Sequence, residues 1–293
     1  MATIEGTIKN RPVLAYFALA FAISWGGVLV VIGGPGGIPG TTEQTEARLP
    51  LAVLAMVVGP SAAGILLTGL VYGSRGLREI LSRSLRWRVG ARWYAGALLT
   101  APLLESATLF ALLPTSPVFL PGIFASDDKA SLLLSGIAAG LVAGIFEELG
   151  WTGFATPTLR AHYGVLATGL VVGLLWGAWH FLVAFWASGT PSGAFSLLLF
   201  LPQFLFYVGV LPAYRVLMVW VHERTDGSLL VAMLMHASLT GSVLFVFMPL
   251  AISGVTLLSW YLVLAAALWI VVAAVALANG GQLSPQPRRR RVA

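Results

Sequence analysis

Eight apolar runs, each near the roughly 20 residues that carry a helix across a bilayer, recur along this chain and constrain it more than any other feature. They lie at about 12 to 33, 51 to 73, 92 to 113, 131 to 160, 166 to 187, 195 to 219, 229 to 249 and 253 to 278. Inside lipid every backbone N–H and C=O must find its partner within the protein. Runs of this length therefore fold as helices, and the expected fold is all-α: a polytopic transmembrane bundle of about eight helices. Of the residues, 58% are hydrophobic and 10% charged, against roughly half and a quarter in soluble domains. No polar stretch is long enough to fold apart, so residues 1–293 read as a single membrane domain. The first run follows Lys9 and Arg11 but is longer than a signal-peptide core and ends in Gly33, Gly34, Pro35 and Gly36, so it is read as a retained span. The chain has no cysteine, which excludes structural disulfides, thiolate metal sites and cysteine nucleophiles.

Lys and Arg collect on the cytoplasmic side of membrane proteins. With the N-terminus inside, all 17 basic residues except Arg48 and Lys129 fall on inner segments, including Arg75, Arg78, Arg83, Arg86, Arg88 and Arg92 and a basic tail at 284–293. Both termini are therefore expected to be cytoplasmic, in the plasma membrane of a prokaryote. The net charge of +6 reads as a topology signal or as contact with anionic headgroups, not as nucleic-acid binding. Arg215, about 6 Å from the inner end of its helix, is expected to snorkel.

Function is sought among ionisable groups at bilayer depth, which are costly there and are retained for a partner, a pathway or chemistry. Glu105 lies in the third run, Glu147 and Glu148 in the fourth, His180 in the fifth and His236 in the seventh. His162, His222, Glu223 and Asp226 are read as solvated loop residues. At 1.5 Å per residue, His180 lies about 21 Å and His236 about 12 Å from the inner ends of their helices. Glu148 reaches about 18 Å only if its helix continues through Trp151 and Phe154 to Arg160, with Pro157 in the last turn. That register lets the three helices meet at one level.

The string from Glu147 to Phe154, with Trp176 to His180 and then Gly227, Ser228 and His236, resembles the CPBP family of intramembrane proteases, also called Rce1-like or CAAX prenyl protease 2, which includes bacteriocin-immunity proteins. That family pairs a Glu-Glu-x-x-x-Arg motif with Phe-x-x-x-His on the next helix and a later His-x-x-x-Asn, in an eight-helix bundle; here the resemblance covers the catalytic-core region 131–245. Thr152 stands where the family has Arg, Trp176 replaces Phe, and Thr240 replaces Asn. An Arg at 152 would sit i+4 from Glu148 and pair with it. Without it, either Glu148 is protonated or another donor reaches it. Arg160 is about 18 Å further along the axis, too far to serve on an unbroken helix.

Peptide hydrolysis needs an activated water and donors aimed at the developing oxyanion. The resemblance implies that Glu147 activates the water with His180 helping to hold it, that His236 and Thr240 bind the oxyanion, and that Glu148 orients its neighbours. No cofactor is expected. The alternative is a zinc held by Glu147, His180 and His236, since two His and one Glu suit a catalytic zinc. Glu105 lies at a similar depth and either borders the same cavity or bonds a neighbouring hydroxyl. The expected partners are the bilayer and a peptide or lipid-linked protein substrate. Two rivals stay open: a catalytically silent scaffold or immunity protein, and a proton-coupled transporter.

Overall fold

The computed structural model describes residues 4–281 and residue 283; the basic tail at 284–293 lies outside the described residues. The fold is all-α, and among the described residues eight helical spans are long and apolar enough to cross a membrane: α1 (Pro12–Ile32), α2 (Thr42–Ser84), α3 (Ala91–Leu112), α4 (Lys129–Arg160), α5 (Val165–Trp186), α6 (Leu197–Arg224), α7 (Leu229–Val246) and α8 (Gly254–Ala278).

The second span is longer than its apolar run suggests. Its N-terminus is fixed by a capping box in which Thr41 and Gln44 satisfy each other's backbone N–H groups. Forty-three residues in one straight helix would extend about 65 Å, roughly twice the hydrocarbon core. Gly73 breaks the helix with φ 62°, in the left-handed region that glycine tolerates. The helix beyond it redirects Arg83 into the bundle, where only 8% of the residue is exposed.

Two glycine ladders set how closely the functional helices approach. Gly136, Gly140 and Gly144 share one face of α4, and a Cβ on Gly140 would lie 2.3 Å from the carbonyl oxygen of Ala237 on α7. Gly169, Gly173 and Gly177 do the same on α5, where a Cβ on Gly177 would lie 2.1 Å from the carbonyl oxygen of Tyr207 on α6. Small residues one turn apart let membrane helices pack backbone to backbone where no hydrophobic effect drives them together. The core between them holds Trp151, Trp179, Tyr16 and Tyr214, all fully buried.

Among the described residues three helices carry a π-helical turn: Trp151–Ala155 in α4, Phe206–Val210 in α6 and Ser242–Val246 in α7. Such turns leave carbonyls without their usual partner and concentrate at functional sites. The fourth span thus continues to Arg160, with Pro157 in its closing turn. Its passage is wound more loosely than a plain α-helix.

Candidate active site

The π-helical turn of α4 begins immediately after the two acids, so Glu147 and Glu148 sit on the last regular turns before the winding changes. Both are buried, at 3% and 0% exposure. They face different partners. The Glu147 Oε2 atom accepts from two indoles, Trp176 Nε1 at 2.7 Å and Trp151 Nε1 at 3.2 Å. Its Oε1 atom lies 3.8 Å from His236 Nε2, a separation that a shared water would bridge.

Glu148 is held by a guanidinium. Arg215 Nη2 donates to Oε1 at 2.7 Å and Nη1 to Oε2 at 2.8 Å, in the fork geometry that matches a carboxylate. The Thr152 hydroxyl donates to Oε2, and Arg215 Nη1 also reaches that hydroxyl at 3.3 Å. The expectation that Arg215 snorkels is wrong: it is 0% exposed. Its carbon stem could have led to the headgroups, but a buried carboxylate offers a stronger partner than interfacial water, and the Trp176 ring 4.4 Å from its Cζ closes over it.

His236 joins the two acids. Its Nδ1 lies 2.7 Å from Glu148 Oε1 while Nε2 faces Glu147. One guanidinium meets two carboxyl groups here, and His236 stands between them. The Trp176 ring packs on His236 with centroids 4.8 Å apart, so one side chain touches Glu147, Arg215 and His236 together.

His180 occupies the next position outward. It is half-buried, and its Nδ1 lies 2.8 Å from the Trp176 carbonyl oxygen, the arrangement of a donated N–H that leaves Nε2 with its lone pair. The ring stacks on Tyr207 at 4.6 Å and meets Trp179 edge-on at 4.7 Å. Among the described residues it shares no hydrogen bond or ion pair with Glu147. Thr240 is half-buried one turn beyond His236 and joins none of the cluster's hydrogen bonds.

Among the described residues no three His, Cys, Asp or Glu side chains gather as a metal-binding group, and His236 Nδ1 is engaged by Glu148. Glu105 is buried at 1% exposure but stands apart. Ser242 lies beside its carboxyl, yet the Ser242 hydroxyl donates its proton to Ser238 O at 2.6 Å and offers only a lone pair.

Arg83 on α2 supports the π-helical turn from outside. Arg83 Nη2 donates to Thr152 O at 2.9 Å, Nη1 to Gly153 O at 3.2 Å and Nε to Gly227 O at 3.1 Å. The first two are carbonyls of the π-helical turn, which altered winding frees; the third belongs to the loop before α7. The reading of His222 as a solvated loop residue is corrected: it is 7% exposed in the last turn of α6, with Nε2 2.9 Å from Arg83 Nη2. The loop reading of Glu223 is corrected too: it lies half-buried in the last turn of the same helix and pairs with Arg160. His162 and Asp226 are exposed.

Residues 129–242, which contain the acid pair, its indole donors, Arg215 and His236, match the family described as type II CAAX prenyl endopeptidase Rce1-like. This stretch is similar to the Rce1-like (CPBP) family, which is one of peptidases, and the likeness is a distant one. CAAX prenyl protease 2 of Methanococcus maripaludis is 27% identical over 96 residues, which are 33% of this chain and 35% of that protein. The chain therefore aligns with about a third of the length of the curated relative it matches. Arg215 lies inside the Rce1-like stretch, 63 residues after Thr152, where the motif has Arg.

Proposed function

We propose that the chain is an intramembrane endopeptidase that hydrolyses a membrane-embedded or lipid-linked peptide with a water activated by Glu147. The observation that carries this reading is the unequal treatment of two adjacent acids. Glu148 spends both oxygens on Arg215, whereas Glu147 keeps Oε1 open towards His236 Nε2 while two indoles fix Oε2. A base needs a free oxygen held in one orientation, and Glu147 has it.

In this reading a water between Glu147 Oε1 and His236 Nε2 gives a proton to Glu147, and its oxygen attacks the scissile carbonyl carbon. The C=O pair moves onto the oxygen, which takes hydrogen bonds from His236 and from the Thr240 hydroxyl one turn along the same helix. Collapse of the tetrahedral centre breaks the C–N bond, and Glu147 passes its proton to the departing amine. His180, with Nε2 uncommitted, helps to hold the water or the substrate amide. Glu148 and Arg215 touch none of the reacting atoms and fix His236.

The rival reading, a silent scaffold, would be favoured if no guanidinium met Glu148 in place of the motif's Arg at 152. Arg215 supplies that guanidinium from a neighbouring helix, so the departure from the motif is no argument for inactivity. The test is a comparison of membrane peptides from cells carrying the wild type and Glu147→Ala at equal expression. A peptidase leaves uncut precursors in the variant; a scaffold leaves the two profiles alike.

A further inference from the structure

A cleft of about 610 Å³ opens between α3, α6, α7 and α8 at the end of the bundle where α3 begins and α6 and α8 finish. Its walls sort by chemistry. Arg92, Arg224 and Asn279 stand at the mouth, with Trp93 and Trp220 just below them. Leu217, Val221, Met235, Val271 and Val275 line the interior. From Arg92 to Thr100 the α3 wall descends about 12 Å.

Among the described residues, no Asp or Glu lines the cleft. Arg224 Nη2 donates to the neutral Asn279 Oδ1 at 2.6 Å, and Arg92 lies over the Trp93 ring at 5.2 Å. The adjacent Glu223 is taken by Arg160. Trp93 and Trp220 meet edge-on at 5.2 Å, and tryptophans of this kind sit at the level of lipid headgroups. Two guanidiniums over an apolar slot between membrane helices match a molecule with an anionic head and a hydrocarbon tail. The volume lies within the roughly 300–1,000 Å³ of ordinary ligand pockets.

We propose that this cleft binds one anionic phospholipid, its phosphate between Arg92 and Arg224 and an acyl chain along the Leu217, Val221, Val271 and Val275 wall. A free phosphate would gain nothing from the apolar wall, and a zwitterionic lipid would bring a cation against two arginines. Met235, on the floor, immediately precedes His236, so the bound chain would brace the helix that carries the histidine. The proposal does not depend on the peptidase reading.

The full chain, purified in detergent, is titrated with phosphatidylglycerol and with phosphatidylcholine, and retained lipid is counted by native mass spectrometry while thermal unfolding is followed. One phosphatidylglycerol should be retained with a preference on the order of tenfold and should raise the unfolding temperature; Arg92→Gln with Arg224→Gln should abolish both. Arg75→Gln with Arg78→Gln, exposed and remote from the cleft, should leave both unchanged. Equal retention of the two lipids by the wild type overturns the proposal, and that result needs no variant. So does a preference that survives loss of Arg92 and Arg224, or one that the control pair removes equally. Stabilisation by inorganic phosphate alone would contradict the lipid assignment.

Discussion

Arg215 and Glu148 form a bidentate pair, at 2.7 and 2.8 Å, in which both side chains are fully buried and the guanidinium comes from a different helix than the acid it serves. That relationship ties α6 to α4 through the site. A charge pair at this depth persists only with both partners and their remaining hydrogen bonds in place. Thr152 and His236 supply those bonds on the acid, and the Trp176 face covers the guanidinium.

Removing one partner should therefore be worse than removing both. Arg215→Met is expected to cost about 3–5 kcal/mol, because it strands a buried carboxylate. Arg215→Met with Glu148→Met should recover much of that loss. Thermal unfolding in detergent reads both. Equal destabilisation by the single and double changes would contradict the account.

The guanidinium should also be portable. Thr152→Arg places a cation i+4 from Glu148 on its own helix, the position the motif uses. In the Arg215→Met background this change should restore stability and substrate processing, while in the wild-type background it crowds two cations and reduces both. Failure to rescue would show that the helix of origin matters, contrary to the exchange argued here.

Trp176→Phe keeps the ring over Arg215 and His236 but deletes the 2.7 Å hydrogen bond to Glu147. A hydrogen bond to a charged group contributes about 1.5–3 kcal/mol, which converts to a rate loss of roughly ten- to a hundredfold if it orients the base. The Trp151 N–H at 3.2 Å remains and should keep the variant folded. Processing rate at equal expression checks this; an unchanged rate would remove the indole from the positioning of Glu147.

Gly140→Ala puts a Cβ 2.3 Å from Ala237 O and should force α4 and α7 apart, separating Glu148 from His236. Overpacking of this kind costs about 1–3 kcal/mol. Gly26→Ala, which meets nothing within 4 Å, is the control and should be neutral or mildly stabilising. Unfolding temperatures of the two variants should therefore move in different directions.

The spans were legible because twenty apolar residues admit few structures in lipid, and residues 12–33 and 253–278 needed no other signal. That Glu147, Glu148 and His236 lie together in the bundle was legible because charged groups are rare at that depth; His180 stands beside them with, among the described residues, no bond to either acid. Arg215 was misread since position along a helix says how far a side chain is from the interface but not which way it turns. Arg83 and His222 were hidden for a related reason: the break at Gly73 redirects a helix that the apolar pattern alone would have ended there. The glycine ladders, at period four on α4 and α5, were in plain sight and carry the signal for which helices touch.

The account stands on Glu147 acting as the base, and a quantitative comparison of membrane peptides from wild-type and Glu147→Ala cells, matched for protein abundance, tests it most directly. A set of uncut precursors should accumulate in the variant and disappear when wild type is restored. Identical peptide profiles, with the variant folded and present at the wild-type level, would contradict it.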